Sequence, residues 1–69
     1  MNRELVKSSN IRSVGYDPKA KLLELQFHSG SVYQYFEVPL ATHTALMSSE
    51  SKGKFFDANI RDVFKGNKI

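Results

Sequence analysis

Leu23, Leu25 and Phe27 alternate with Glu24 and Gln26, and a few residues later Tyr33 and Tyr35 flank Gln34. A period of two is that of a half-buried β-strand. The segment between, His28-Ser29-Gly30, reads as a hairpin connection, and its length decides which side chains share a face. A three-residue loop with Gly30 left-handed pairs Phe27 with Ser31, Leu25 with Tyr33 and Leu23 with Tyr35. A two-residue loop, Ser29-Gly30, slips the pairing by one and sends both tyrosines to the opposite face. Serine is not a favoured first residue of such a loop, so the three-residue form is expected. Tyr33 and Tyr35 then join Leu23, Leu25 and Phe27 in the core, with their hydroxyls at the rim. The other register exposes them as a stacking platform for nucleic-acid bases. In the expected register, Val32, Phe36 and Val38 make a smaller apolar strip on the opposite face, one that needs a cover or a partner.

The rest of the chain arranges itself around this hairpin. Residues 1–8 read as a loose lead-in and residues 11–16 as a preceding strand. Asp17-Pro18-Lys19-Ala20 is a turn, because proline presets φ at its second position. The third strand runs over residues 32–38, and Val38-Pro39 ends the sheet, since proline donates no ladder hydrogen bond and fits the first turn of a following helix. Leu40, His43, Thr44 and Met47 follow helical spacing. Ser48-Ser49-Glu50-Ser51 breaks that spacing and supplies N-cap candidates for a second helix. That helix is expected from Lys52 or Gly53 to Phe64, with Phe56, Ile60, Val63 and Phe64 inward and Gly66-Asn67 as its C-cap region. A short terminal strand ending at Ile69 is the only other element for which there is room. The predicted fold class is α+β: a three-stranded antiparallel meander followed by two helices packed on one sheet face. The 69 residues fit one domain over residues 1–69, with its core at about residues 10–66.

Few catalytic parts are present. Hydrophobic residues make up 41% and charged residues 25% of the chain, which argues against disorder. No cysteine is present, so disulfides, thiolate chemistry and cysteine zinc sites are excluded. His28 and His43 are the candidate bases, but neither sits in a nucleophile motif and no carboxylates cluster with them. Each reads as a satisfied or solvated histidine. No catalytic residue, metal or cofactor is expected. No apolar run approaches the ~20 residues that span a bilayer, and the first ten residues lack a signal-peptide core. The expectation is a cytoplasmic protein without a membrane partner.

Charge carries more information. The net charge of +3 resides in residues 51–69, where Lys52, Lys54, Arg61, Lys65 and Lys68 face only Asp57 and Asp62. On a helix reaching Phe64, Lys54, Arg61 and Lys65 fall within about 40° of one another, opposite the apolar arc. Ser51-Lys52-Gly53-Lys54 lacks phosphate-loop spacing. At a helix start it can still seat an anion against free N–H groups. Equally, Ser51 can cap the helix while Gly53 permits tight packing. This asymmetry suggests an anionic partner, with nucleic acid ahead of membrane surface.

The ordered combination of Gly15-Tyr16-Asp17, Leu23-x-Leu25-x-Phe27, Gly30, Tyr33-Gln34-Tyr35, Val38-Pro39, Ser51-x-Gly53-x-Phe55-Phe56 and Ile60-Arg61 resembles the KTSC family. The likeness runs from about Asn10 to Phe64. That family occurs at the C-terminus of some lysyl-tRNA synthetases and as stand-alone bacterial and phage proteins. The resemblance implies no established activity, and attachment to a tRNA-handling enzyme suggests RNA. The reading is therefore a non-enzymatic binding module for RNA. Lys52, Lys54, Arg61 and Lys65 are the candidate phosphate contacts, and Tyr33 and Tyr35 the candidate stacking residues. The alternative is a protein–protein interaction module using the apolar sheet face or a strand edge.

Overall fold

A computed structural model describes residues 1–69. The elements in chain order are β1 (Glu4–Leu5), β2 (Ile11–Asp17), β3 (Leu22–Phe27), β4 (Val32–Tyr35), α1 (Leu40–Ser48), α2 (Lys52–Asn59) and β5 (Gly66–Lys68). The strands form one antiparallel sheet in the order β1-β2-β3-β4-β5, and the side chains of both helices pack on one of its faces. The α+β class is as expected. The three-stranded meander, however, is only the centre of a five-stranded sheet. The supposed lead-in pairs Glu4 with Val14 and Leu5 with Ser13, and β5 covers the far edge of β4. Both additions satisfy backbone groups that a three-stranded sheet leaves open at its edges.

The hairpin takes the three-residue loop. Phe27 N–H donates to Ser31 O and Gly30 N–H to Phe27 O, each at 2.9 Å. Gly30 has φ of +98°, a region in which a side chain is strained. Leu25 faces Tyr33 and Leu23 faces Tyr35. Ahead of the hairpin, Asp17 Oδ1 accepts from the backbone N–H groups of Lys19 and Ala20 at 3.0 and 3.3 Å, which locks the proline turn from the side.

The apolar strip on the opposite face does not form. β4 stops at Tyr35, and Glu37 adopts φ of +58°. The chain bends so that Val38 N–H donates to Lys21 O at 2.9 Å and the Val38 side chain is fully buried in the core. The outer face is polar instead. Glu24, at the middle of β3, accepts from Arg3 at 2.8 Å and from Gln34 Nε2 at 2.9 Å, and Ser13 Oγ donates to Gln26 at 3.3 Å. Gly15 lies opposite Glu24. A Cβ there would sit 2.9–3.0 Å from atoms of Met1, Asn2 and Arg3. The missing side chain thus lets the N-terminal segment cross the sheet and bring Arg3 to Glu24.

Pro39 is the N-cap of α1 rather than a residue of its first turn. Leu46 is the fully buried residue of that helix, with His43 and Met47 half-buried, while Leu40 is exposed. Ser51 caps α2, its hydroxyl accepting from Lys54 N–H at 3.4 Å. α2 ends at Asn59, five residues short of the expected Phe64. Asn59 Nδ2 donates to Phe55 O, and the N–H groups of Ile60 and Arg61 both donate to Phe56 O. The sheet explains the early stop. The chain must turn over residues 60–64 for Lys65 O to accept from Phe36 N–H and for β5 to reach β4. Val63 is consequently exposed. Gly66 begins β5 instead of capping a helix. Its Cβ would lie 2.5 Å from a ring carbon of Tyr35, so the strand can sit there only because residue 66 has no side chain. The core comprises Ile11, Val14, Leu23, Leu25, Tyr35, Val38, Leu46, Phe56 and Ile60.

Candidate functional site

Four rings close a cycle between the hairpin and α2. Tyr33 meets Phe27 edge-on at 5.7 Å, Phe27 meets Phe56 at 5.4 Å and Phe56 meets Tyr35 at 5.5 Å. Tyr35 returns to Tyr33 at 6.4 Å with nearly parallel planes. Edge-to-face and offset contacts of this kind add about 0.5–1.5 kcal/mol each beyond simple burial. Tyr35 is buried and Tyr33 half-buried, so the cycle is anchored at one end and open at the other. The open end lines a cleft of about 620 Å³ whose rim is polar, with Asn10, His28, Ser31, Asp57 and Arg61. Roughly 300–1,000 Å³ is the usual range for a small-ligand site.

The rim is held in place by specific contacts. His28 N–H donates to Asn10 O at 3.0 Å, and its ring Nε2 lies 2.8 Å from Ser8 O. A carbonyl only accepts, so Nε2 carries the hydrogen. Gly53 is buried against Asn10, whose Nδ2 would lie 2.9 Å from a Cβ at residue 53. The start of α2 is therefore packed, with Gly53 serving close approach to Asn10. Asp57 on α2 and Arg61, four residues on in the turn beyond it, lie on the cleft side 3.5 Å from each other, and both side chains are more than half exposed. Arg61 also lies 3.9 Å from Asp62. Burial pushes the Tyr35 hydroxyl above its ordinary pKa. The neighbouring Tyr33 adds to this, Arg61 opposes it and Asp62 reinforces it. Tyr35 is a neutral phenol at neutral pH.

Of the six residues singled out in the sequence, the structure brings three together: Tyr33, Tyr35 and Arg61 line the cleft. The basic helical stripe does not exist. Lys54 is exposed on α2, Arg61 lies in the turn beyond it, and Lys65 lies outside the helix as well. The stripe required a helix through residue 65, and the helix ends at Asn59. Lys65 lines a separate groove with Phe36, Glu37, Phe64 and Asn67. Lys52 Nζ donates to Ser49 O at 3.1 Å, bracing the turn between the helices. Sequence reasoning missed Asn10, Asp57 and Lys68, together with the walls Phe27 and Phe56. Lys68 faces Tyr33 across the β4–β5 ladder, so both side chains lie on one face of the sheet. Only the pairing of the terminal strand reveals this.

His43 has a different setting. Its ring stacks on Tyr16 at 4.6 Å with an interplanar angle of 8°, and the Tyr16 hydroxyl donates to Val38 O. Burial pulls His43 below its ordinary pKa, and Glu4 opposes the shift. No three His, Asp or Glu side chains converge as a metal site would require. No helix is long and apolar enough to cross a membrane.

The profile of the KTSC domain family matches residues 7–64. The chain belongs to the KTSC family. A crystal structure of a KTSC domain protein from Yersinia pestis superposes on it with a TM-score of 0.96 at 47% identity, covering 99% of this chain and 96% of that one. A protein of Stutzerimonas stutzeri is 42% identical over 65 residues, which is 94% of this KTSC chain and 86% of the relative. A lysine–tRNA ligase of Nostoc sp. is 41% identical over 59 residues. The match covers 86% of this chain but only 10% of that ligase. The profile begins after β1 and stops before β5. The family match thus spans the three central strands and both helices, and the two edge strands lie outside it.

Proposed function

We propose that this KTSC domain is a non-enzymatic module that binds single-stranded RNA at the aromatic cleft. An unpaired base rests on Tyr33 with Arg61 beside it on the cleft, and Lys68 meets an adjoining phosphate. The observation that carries the reading is that a half-buried tyrosine and an exposed arginine line one open aromatic cleft, with Lys68 opposite that tyrosine on the neighbouring strand. Aromatic stacking contributes about 1–3 kcal/mol per base and tolerates any sequence. Two further observations support it. The net positive charge lies in residues 51–69, and a homologous segment forms part of a ligase named for tRNA. Lys54 and Lys65 contribute to the positive field without touching the cleft, and Lys52 is occupied by Ser49. The reading goes with a cytoplasmic location and with no cofactor.

The rival, a protein-interaction module, has less to stand on. The face expected to be an apolar strip is polar, with Glu24 paired at its centre. Both sheet edges are short, two and three residues, and β5 carries Lys68. Short, charged edges disfavour strand addition.

The test is fluorescence anisotropy of a labelled single-stranded RNA across a salt series. One phosphate contact gives a log–log salt slope of about −0.7 on single strands. Tyr33→Ala weakens binding by about tenfold, from the loss of one stacked base. Lys68→Gln removes most of the slope, and Arg61→Gln weakens binding at the cleft. Absence of binding at low salt overturns the reading, as does binding that is indifferent to all three changes.

A further inference from the structure

The geometry points to guanine as the base that the cleft selects. This inference rests on the RNA-binding reading and names its ligand more narrowly. Asp57 and Arg61 stand side by side on the rim of the cleft that Tyr33 lines. At 3.5 Å their separation exceeds the ~2.7–2.9 Å of a charge-assisted hydrogen bond, so each keeps unused capacity. A carboxylate accepts through two oxygens, and a guanidinium offers five N–H donors in a planar fork. Both side chains are more than half exposed, so a ligand can reach both without first displacing protein.

Such a pair asks for a ligand with two adjacent donors next to two adjacent acceptors. Guanine has this arrangement. Its N1–H and N2–H donors suit a carboxylate, and its O6 and N7 acceptors suit an arginine fork, the commonest specific arginine contact to a base. O6 and N1 lie on neighbouring ring atoms, which matches a carboxylate and a guanidinium that are themselves neighbours. Adenine offers the acceptor N7 and only the N6 amino group as donor, so it fills half of each fork. Cytosine and uracil each present a single donor group to the carboxylate. The donor edge of guanine that Asp57 would hold is the edge used in base pairing. The preference therefore applies to unpaired guanine, and duplexes are excluded by the same contact.

The experiment compares four labelled nine-nucleotide RNAs at low salt: all uridine, and the same strand with guanosine, adenosine or cytidine at the centre. The guanosine strand is expected to bind about tenfold more tightly than the others, within the range of one good bidentate contact. Asp57→Asn replaces half of the acceptor with an amide donor facing the base donors, and the guanosine-to-uridine affinity ratio falls to about one. Circular dichroism on the variant checks the fold. Equal binding of all four RNAs, or a preference for another base, overturns the guanine assignment and leaves RNA binding standing. No binding to any of them overturns both.

Discussion

Replacing Tyr35 with alanine tests the aromatic cycle and the hairpin register together. The side chain is 6% exposed, touches Tyr33 and Phe56, and covers the backbone at Gly66. Aromatic-to-alanine changes in cores cost about 3–5 kcal/mol. Tyr35 sits where the core meets the cleft, so water can enter the space it leaves, and the low end, about 3 kcal/mol, applies. A chain of this length has a total stability of roughly 3–10 kcal/mol. The same loss lowers Tm by roughly 12–24 °C in a domain of this size. Thermal melts followed by far-ultraviolet circular dichroism resolve a shift that large. Tyr35→Phe keeps the ring and shifts Tm by less than about 5 °C. Tyr33→Ala, at the open end, costs about 1–2 kcal/mol because part of the ring is already in water. If Tyr35→Ala melts with the parent, or Tyr33→Ala costs more than Tyr35→Ala, the anchored-and-open description of the cycle is wrong.

Three further outcomes follow from other parts of the fold. Gly66→Ala drives a methyl group into the Tyr35 ring and costs about 1–3 kcal/mol; a chemical-denaturation midpoint unchanged from the parent refutes it. Arg3→Ala leaves the Glu24 carboxylate with Gln34 alone and costs about 1–2 kcal/mol, between the values for exposed and buried pairs. Equilibrium denaturation of both single variants and the Arg3→Ala, Glu24→Gln double variant isolates the coupling. For His43, the folded pKa lies below the unfolded one, so the folded state binds fewer protons. Its contribution is therefore neutral above about pH 6.5 and destabilising as pH falls below it. Melts at pH 7.5 and 5.5 register the loss, and His43→Phe, which retains a ring against Tyr16, flattens it.

The hairpin was legible because its determinants are local. Alternation fixed the two strands, and one glycine able to take φ of +98° fixed the loop, hence the face of both tyrosines. The cap of α2 was equally local, since Ser51 stands where its chemistry suggests, whereas Pro39 sits one position before the first turn of α1. The failures share a different cause. Asn59 carries no signal strong enough to announce that a helix with Ile60, Val63 and Phe64 at apolar positions must stop. The stop is imposed by β4, which needs a strand beside it. Val38 left the strand alternation because Glu37 takes a left-handed conformation, unusual for glutamate. Glu4 and Leu5 pair with β2 through backbone alone, and their exposed side chains leave no periodic trace. The candidate site inherits the same division. Its tyrosines could be read from the hairpin. Arg61 was read for the wrong reason, as part of a stripe, and Lys68 became a neighbour of Tyr33 only through the β4–β5 ladder.

The strand order also bears on how the chain folds. Spatial order equals chain order throughout, and the first three pairings join segments linked by short loops. Hairpin pairings of that kind form in roughly 1–10 μs, at a small entropic cost of loop closure. The β4–β5 pairing is the exception, since both helices lie between its partners. Closing it brings together residues separated by about thirty positions, so it belongs late in the sequence of events, after the helices have docked. Interactions absent from the transition state govern the unfolding rate rather than the folding rate. Weakening β5 should therefore steepen escape from the native state and leave the speed of reaching it nearly unchanged. The last strand then acts as a kinetic clasp, set beside the tyrosine that opens the cleft.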